Sequence, residues 1–582
     1  MRFEVNKNWK DGFTHDGMLY CAQRIEEMLM FFTSHLYKVP VLNTYLLIEE
    51  YITTYDLVKR GTIHESHLKI ILDEFCDSLK NDIVIKDHFS ASQIEYFSQH
   101  LNELSQENQE KFMVYLFHEF GPYPFWCGET VKKYANQEKD KKIIEKALRC
   151  YIPMLIGIGY DQSYIYSYCK SVFSSHDIKD TSPIDKFIDN FDFHKHLYEI
   201  QFSADKKVYS FKDILKQRLD INIVNENTSR ANTNGNILLS KSVEALDPES
   251  AAHLVYQHFD IFTRYYKFLG NREGEWCDKK ALVYDEDGKR LMRTAFNPSG
   301  FRFSQDYDDK TLGKNSERII TSLLENANHK DFRIVDKLII AHNQAIDSSN
   351  NRNAFLNLWS AIEIIGASDD RSNSKIVTII RSVVPILKRN YINIVIHELH
   401  DYLKANIDIK DYNFLLSAIS QNGDEEYKLA CLVILEEYEN VRKSAYQILK
   451  YYPLIRSRIS QLHEDVFKDK KKYLAELARY GQRIEWHIQR LYRTRNSIIH
   501  SGDEPNNIVS LGEHLHEYVD ELVLEILERI TQPDSLTSID NVIIDSQTFI
   551  DRISGKEFQH NQKFTEDDVK LIFLRDRHRG FI

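Results

Sequence analysis

Glycine and proline are scarce in this chain, with 20 and 11 among 582 residues. So few chain breakers exclude a many-turned β architecture and favour long helices. Cysteine is sparse too: Cys21, Cys76, Cys127, Cys150, Cys169, Cys277 and Cys431 stand apart, with no Cys-x-x-Cys pair. An odd, dispersed set speaks against a cysteine zinc site and reads as buried thiols in a reducing cytoplasm. Long apolar runs are missing. The most apolar windows, near residues 28–32 and 152–158, are too short to span a bilayer. The N-terminus has no signal-peptide pattern, so the expectation is a cytoplasmic protein with no membrane partner. Positive charge is in deficit: 75 Lys and Arg face 87 Asp and Glu, for a net charge of −12. Such a balance lacks the footprint of a non-specific nucleic-acid coat, so any RNA contact must come from a local basic patch. Phosphate-binding loops, dinucleotide fingerprints and nucleophile elbows are absent as well.

What is there is ample core. Hydrophobic residues make up 42% and aromatics 12% of the chain, including 33 Tyr and 32 Phe, which excludes disorder. At roughly 100–200 residues per domain the length suggests about three or four domains. The pattern predicts a mainly α protein in four parts. Residues 1–185 form a helical N-terminal domain, in which Leu46, Leu47, Tyr51, Tyr55 and Leu57, then Leu68, Ile71, Leu72 and Phe75, recur at helical spacing. Gly121-Pro122-Tyr123-Pro124 breaks it, and Lys139–Lys142 opens another helix.

Residues 186–310 change texture and read as a small α+β domain. One β-hairpin is expected from residues 196–202 and 208–211, a second from residues 281–284 and 290–292 around Asp285–Gly288. Residues 225–236 form a polar linker, Asp247-Pro248 a helix start and Asn297–Gly300 a turn. Residues 311–535 are helical again, with helices expected near 316–326, 331–347, 352–366, 374–406, 409–420, 424–450, 454–463, 470–500 and 507–531, implying a bundle. Residues 536–582 form an extension with a basic tail, Arg575, Arg577 and Arg579.

Near the end of the long predicted helix over 470–500 lies Arg493-Thr494-Arg495-Asn496-Ser497-Ile498-Ile499-His500-Ser501-Gly502. It collects cations, a carboxamide, a hydroxyl and an imidazole at one helix end. An imidazole moves protons near neutral pH, and a guanidinium holds a phosphate and its growing charge. Ile484, Ile488, Leu491 and Ile498 define an apolar stripe on which Arg495 also falls. His500 lies five residues on, about 140° around an ideal helix, whereas Arg493 nearly eclipses it. A stop at Ser501-Gly502-Asp503 would let His500 swing toward Arg495. Spacing leaves both arginines open.

This stretch resembles the HEPN superfamily of helical nucleases and nucleic-acid-binding modules, whose signature is Arg-x(4–6)-His, often with Asn after the Arg. Upstream, Asn353 to Ile365, with Phe355, Leu358, Trp359, Ile362 and Glu363, is similar to the first core helix of the Apea-like branch. The resemblance covers residues 315–535, with inserted helices near 370–470. It implies a bundle that pairs with a second copy, and metal-independent RNA cleavage by attack of a ribose 2′-hydroxyl, with no cofactor. His500 would be general acid or base, Arg495 the phosphate ligand and Asn496 the residue orienting them. Arg493, Ser497 and Glu363 would support, Glu363 by holding Arg495. It also implies an antiphage or toxin effector acting on RNA such as tRNA, released by a phage-derived trigger, with residues 1–310 sensing or inhibiting. The alternative is a non-catalytic HEPN module binding RNA or a nucleotide, or scaffolding a defence complex.

Other features read as structural. Trp359, Phe355 and Ile362 form a core stripe. His397-Glu398-Leu399-His400 is one residue short of zincin spacing. His514 and His516 point to different faces of one helix, and Arg389-Asn390 stands too far from His397. Lys468–Lys472 is a solvated helix start. No metal site is expected.

Overall fold

The computed structural model describes residue 3 and residues 16–30, 33–137, 140–174, 180–224, 236–270, 277–295, 317, 320, 321, 323, 329–348, 350–366, 374–502, 504–530 and 538–573. The architecture is mainly α, with a small antiparallel sheet in the middle of the chain and helices on either side of it in sequence. Ten helices come first: α1 (Asp16–Leu29), α2 (Thr44–Lys59), α3 (Ser66–Asn81), α4 (Ile83–His88), α5 (Ala91–Glu103), α6 (Gln106–Glu119), α7 (Tyr123–Gln137), α8 (Lys141–Ile158), α9 (Gln162–Ser174) and α10 (Ser182–Asp189). The break expected at residues 121–124 falls between α6 and α7.

The middle region holds β1 (His196–Asp205), α11 (Lys212–Leu219), β2 (Asn222–Val224), β3 (Asn236–Ala245), α12 (Pro248–Gly270), β4 (Cys277–Tyr284) and β5 (Arg290–Ala295). Its strand order is β2-β3-β1-β4-β5. Along β1 every second residue from Tyr198 to Ala204 is buried, the period-2 pattern of a sheet with one face on its core. The hairpin expected from residues 196–202 and 208–211 does not form. Residues 206–211 wind into a 3-10 turn, and β1 pairs with β3, from Tyr198 beside Val243 to Phe202 beside Leu239. Val208 and Phe211 are three apart, which a 3-10 turn brings to one side, so Val208 still reaches the core without a strand. The second hairpin forms as expected, β4 against β5, closed by Gly288 at φ +76°. Asp247 begins α12 by accepting from Ser250 N at 2.8 Å. The expected turn at residues 297–300, residues 225–235 of the linker, the basic tail and most of 316–326 lie outside the described residues.

The rest is helical: α13 (His329–Ile346), α14 (Asn351–Ile365), α15 (Lys375–Asn406), α16 (Ile409–Ser417), α17 (Glu425–Ile434), α18 (Glu439–Ile448), α19 (Pro453–Gln461), α20 (Lys470–His500), α21 (Ile508–Ile530), α22 (Ile539–Ser554), α23 (Lys556–Gln559) and α24 (Glu566–Ile572). The helix expected over 424–450 is two, parted where Leu435 turns extended at ψ 133°.

The N-terminal helices and the C-terminal bundle bury their apolar faces in one continuous core, while the sheet and α12 enclose a second, smaller one. Buried charge ties the two helical regions together. Arg24 of α1 is fully buried between Glu27 at 2.7 Å and Glu145 of α8 at 2.6 Å, and Glu27 also meets Arg458 of α19 at 2.9 Å. Six of the seven cysteines are buried and all are free, as expected of structural thiols. Among the described residues no helix is long and apolar enough to cross a membrane.

Partly buried Glu398 of α15 has its carboxyl pushed up to about 8, by burial first and then by the charges of Glu27, Glu517 and Asp401. Because its folded value lies above the ordinary glutamate range, its contribution is fully present below about pH 4.5 and is lost as pH rises through 8. Glu398→Gln is expected to flatten that loss and raise Tm at pH 8.5 by roughly a degree or two. Thermal melts of the two proteins across pH 5 to 8.5 check it.

Candidate functional site: the last turn of α20

Helix α20 is started by Asp469, whose carboxylate accepts from Lys472 N at 2.8 Å. Tyr473, Leu477, Tyr480, Ile484, Ile488, Leu491 and Ile498 are buried at helical spacing, so one face is fixed in the core along its whole length. The helix stays regular through His500, with Ser501 as C-cap and Gly502 in the left-handed region at φ +78°. Asp503 lies outside the described residues. Because the stop comes one residue after His500, its Cα–Cβ bond leaves the helix at the regular helical angle, about 140° around from that of Arg495 and about 20° from that of Arg493. The backbone stop therefore comes too late to turn His500 toward the Arg495 side.

The two arginines occupy different environments. Arg493 is buried, 4% exposed, and donates from Nη2 to Glu50 Oε1 of α2 at 2.8 Å. One helical turn earlier, Arg490 donates to both Glu50 oxygens at 3.1–3.2 Å and to Glu74 Oε2 of α3 at 2.6 Å. Burial alone would raise the Glu50 carboxyl, but the Arg490 and Arg493 guanidiniums outweigh it and hold it below the ordinary glutamate range. Glu74 stays raised, by burial first, although Arg490 pulls it down. This four-charge cluster joins the N-terminal helices to the motif helix. Beside it, Arg493, Thr494 and Ser497 line a cavity of about 350 Å³ with Glu49, Thr54 and Asn507.

Arg495 faces the other way and keeps 27% of its side chain exposed. Its Nη1 donates to Asn496 Oδ1 at 3.0 Å, so the carboxamide, itself buried, steers the guanidinium. Glu363 of α14 stands 4.0 Å from Arg495 Nη2, an ion-pair contact longer than a hydrogen bond. The Glu363 carboxylate is shared: Oε1 accepts from Trp359 Nε1 at 2.7 Å, and Oε2 meets Lys375 Nζ at 2.9 Å. The structure therefore brings Arg495, Asn496 and Glu363 together and puts Arg493 and Ser497 on the cavity side. His500 is exposed at the tip.

Three charged residues near the motif had no signal in the sequence. Arg352, in the first turn of α14, donates from Nη2 to the Ile498 carbonyl at 2.6 Å, a cation at the negative end of α20. It is 146 residues from its partner, and Glu50 is 443 residues from Arg493. Lys375 begins α15 after residues that carry no recognisable pattern.

Among the other histidines, His514 and His516 do part: His514 Nε2 meets the Val39 carbonyl at 3.0 Å, and His516 faces α13. His397 and His400, set aside for their spacing, share a face. Their rings stack at 6.4 Å, with His397 Nδ1 2.7 Å from Glu426 and His400 Nε2 3.2 Å from Glu425. A separation of three residues is still nearly one turn, which zincin spacing does not exhaust. No family model, curated protein or solved structure matches this chain.

Proposed function

We propose that this protein is a HEPN-type endoribonuclease that cleaves RNA without metal at the end of α20. The single observation that carries the reading is that an exposed imidazole, His500, and a solvent-reaching guanidinium, Arg495, stand on different sides of the same capped helix end. Arg495 is the assigned phosphate ligand because Arg493 is engaged by Glu50 in the interior. Its guanidinium neutralises the attacked phosphate and the charge gathering on it. His500 takes the 2′-hydroxyl proton or delivers one to the 5′-oxygen leaving group. The products are a 2′,3′-cyclic phosphate and a free 5′-hydroxyl. Arg352 and Lys375 add local positive charge to an acidic protein, where a small basic patch has to serve. The 140° between Arg495 and His500 on one helix favours a site completed by a second copy of the chain, so that the His500 of one subunit meets the Arg495 of the other. A role as an antiphage or toxin effector, with tRNA among the substrates, rests on the family resemblance alone.

The same angular separation favours a second reading, an RNA- or nucleotide-binding module that does not cut. Arg495→Ala and Arg493→Ala separate the proposal from its rival. In chelator, Arg495→Ala is expected to lose cleavage by about 10²-fold or more while melting like wild type. Arg493→Ala is expected to lower Tm. RNA bound by wild type with no product, unaltered by Arg495→Ala, would favour the binding module.

A further inference from the structure

Away from the α20 tip, and sharing no residue with it, two helices converge on a compact donor set. His342 of α13 and His516 of α21 point Nε2 at Nε2 across 3.0 Å. Asp520, one turn beyond His516, places Oδ1 2.8 Å from His342 Nε2 and Oδ2 3.4 Å from His516 Nε2. The rings stack at 5.0 Å with 23° between their planes. Thus two imidazole nitrogens and a carboxylate gather within 4.8 Å of one another, from two helices whose histidines are 174 residues apart in sequence.

Protons serve this arrangement poorly. If both Nε2 atoms carry hydrogen, the two N–H groups collide at 3.0 Å. If only His342 does, its one proton is claimed by two acceptors, the facing nitrogen and the carboxylate. A divalent cation serves all three donors at once. Tetrahedral Zn²⁺ holds N and O ligands at about 2.0–2.2 Å, which sets ligand atoms roughly 3.3 Å apart. The two nitrogens stand 3.0 Å apart, with one Asp520 oxygen 2.8 Å from His342 Nε2 and the other 3.4 Å from His516 Nε2, and one ligand atom from each residue lies within 4.8 Å of the others, so a small rotation of the carboxylate completes the ligand set. Two histidines with one carboxylate is also a donor set that Zn²⁺ accepts. By contrast, His400 of the His397–His400 pair has both ring nitrogens against carboxylates, Asp401 and Glu425, and Glu425 is held by Lys404 at 2.9 Å.

We infer that His342, His516 and Asp520 form a Zn²⁺ site that fastens α13 to α21. Asp520 is 41% exposed, so the fourth coordination position opens to water. The site adds a metal cross-link to the bundle and requires nothing of the nuclease reading.

The test is zinc uptake by the full chain. Chelator-stripped wild type should take up zinc at this site with Kd at or below about 1 µM, and its Tm should rise with free Zn²⁺. Co²⁺ in its place should give the visible absorption of a low-coordinate site. His342→Gln and Asp520→Asn should each lose one zinc equivalent and the cobalt signal, while melting like stripped wild type in chelator. His397→Gln should lose neither. Absence of zinc binding by wild type, or uptake unchanged in both His342→Gln and Asp520→Asn, would overturn the assignment. If His342→Gln fails to fold, Asp520→Asn, at an exposed carboxylate, decides alone.

Discussion

His500→Ala is expected to abolish the proposed RNA cleavage and to leave the melting curve where it is in wild type. The ring lies at the exposed end of α20, outside the core, so its removal opens no cavity. The turn beneath it is held by other groups: Ser501 N on the Ser497 carbonyl at 2.9 Å, Gly502 in its left-handed conformation and Arg352 on the Ile498 carbonyl. Under the proposed reaction the substitution removes the proton-transfer group, an effect typically worth about 10²–10⁴-fold in rate. A cleavage time course under chelator, beside circular dichroism melts of both proteins, reads the two quantities separately. Retained cleavage by a folded His500→Ala removes the imidazole from the mechanism.

Glu50→Ala is expected to do the reverse, destabilising the protein without touching the α20 tip. Glu50 is the carboxylate shared by Arg490 and Arg493, both nearly buried. Without it Arg490 keeps Glu74, but the described contacts leave the Arg493 guanidinium no carboxylate. Stranding a buried charge in this way costs about 3–5 kcal/mol. Denaturant unfolding measures it. A Glu50→Ala midpoint equal to wild type would mean that water or a rearranged side chain replaces Glu50 at no cost. The pair also bears on how the N-terminal half can act. Because α1–α10 share one core with α13–α24, truncating residues 1–310 strips buried surface from the motif-bearing bundle. Point substitution at Glu50 perturbs the junction and leaves the chain whole.

The mainly helical class, and helices such as 375–406 and 470–500, were legible because helix-period apolar residues recur over long stretches. The 281–292 hairpin was legible because Gly288 marks its turn. The failure at Val208–Phe211 has a physical cause: a short apolar run fits a strand or a 3-10 turn equally well, and β1 found its partner beyond residue 235. Where the N-terminal helices pack was not legible, for a related reason. Apolar stripes on α1–α10 announce burial but not against what, and the partner surface is helices such as α19 and α20, more than 400 residues later. At the site, spacing placed Arg493 and Arg495 on different sides of α20. Only the distant Glu50 distinguishes the interior guanidinium from the solvent-reaching one. His342 and Asp520 were invisible for the same reason, since nothing local joins residue 342 to residue 516.

The most direct measurement is end-group analysis of RNA incubated with the purified full chain in excess chelator, at a temperature where the stripped protein is folded. The account predicts fragments ending in 2′,3′-cyclic phosphate with wild type and intact RNA with His500→Ala. Intact RNA with both, or 3′-hydroxyl ends appearing only when metal is restored, would contradict it.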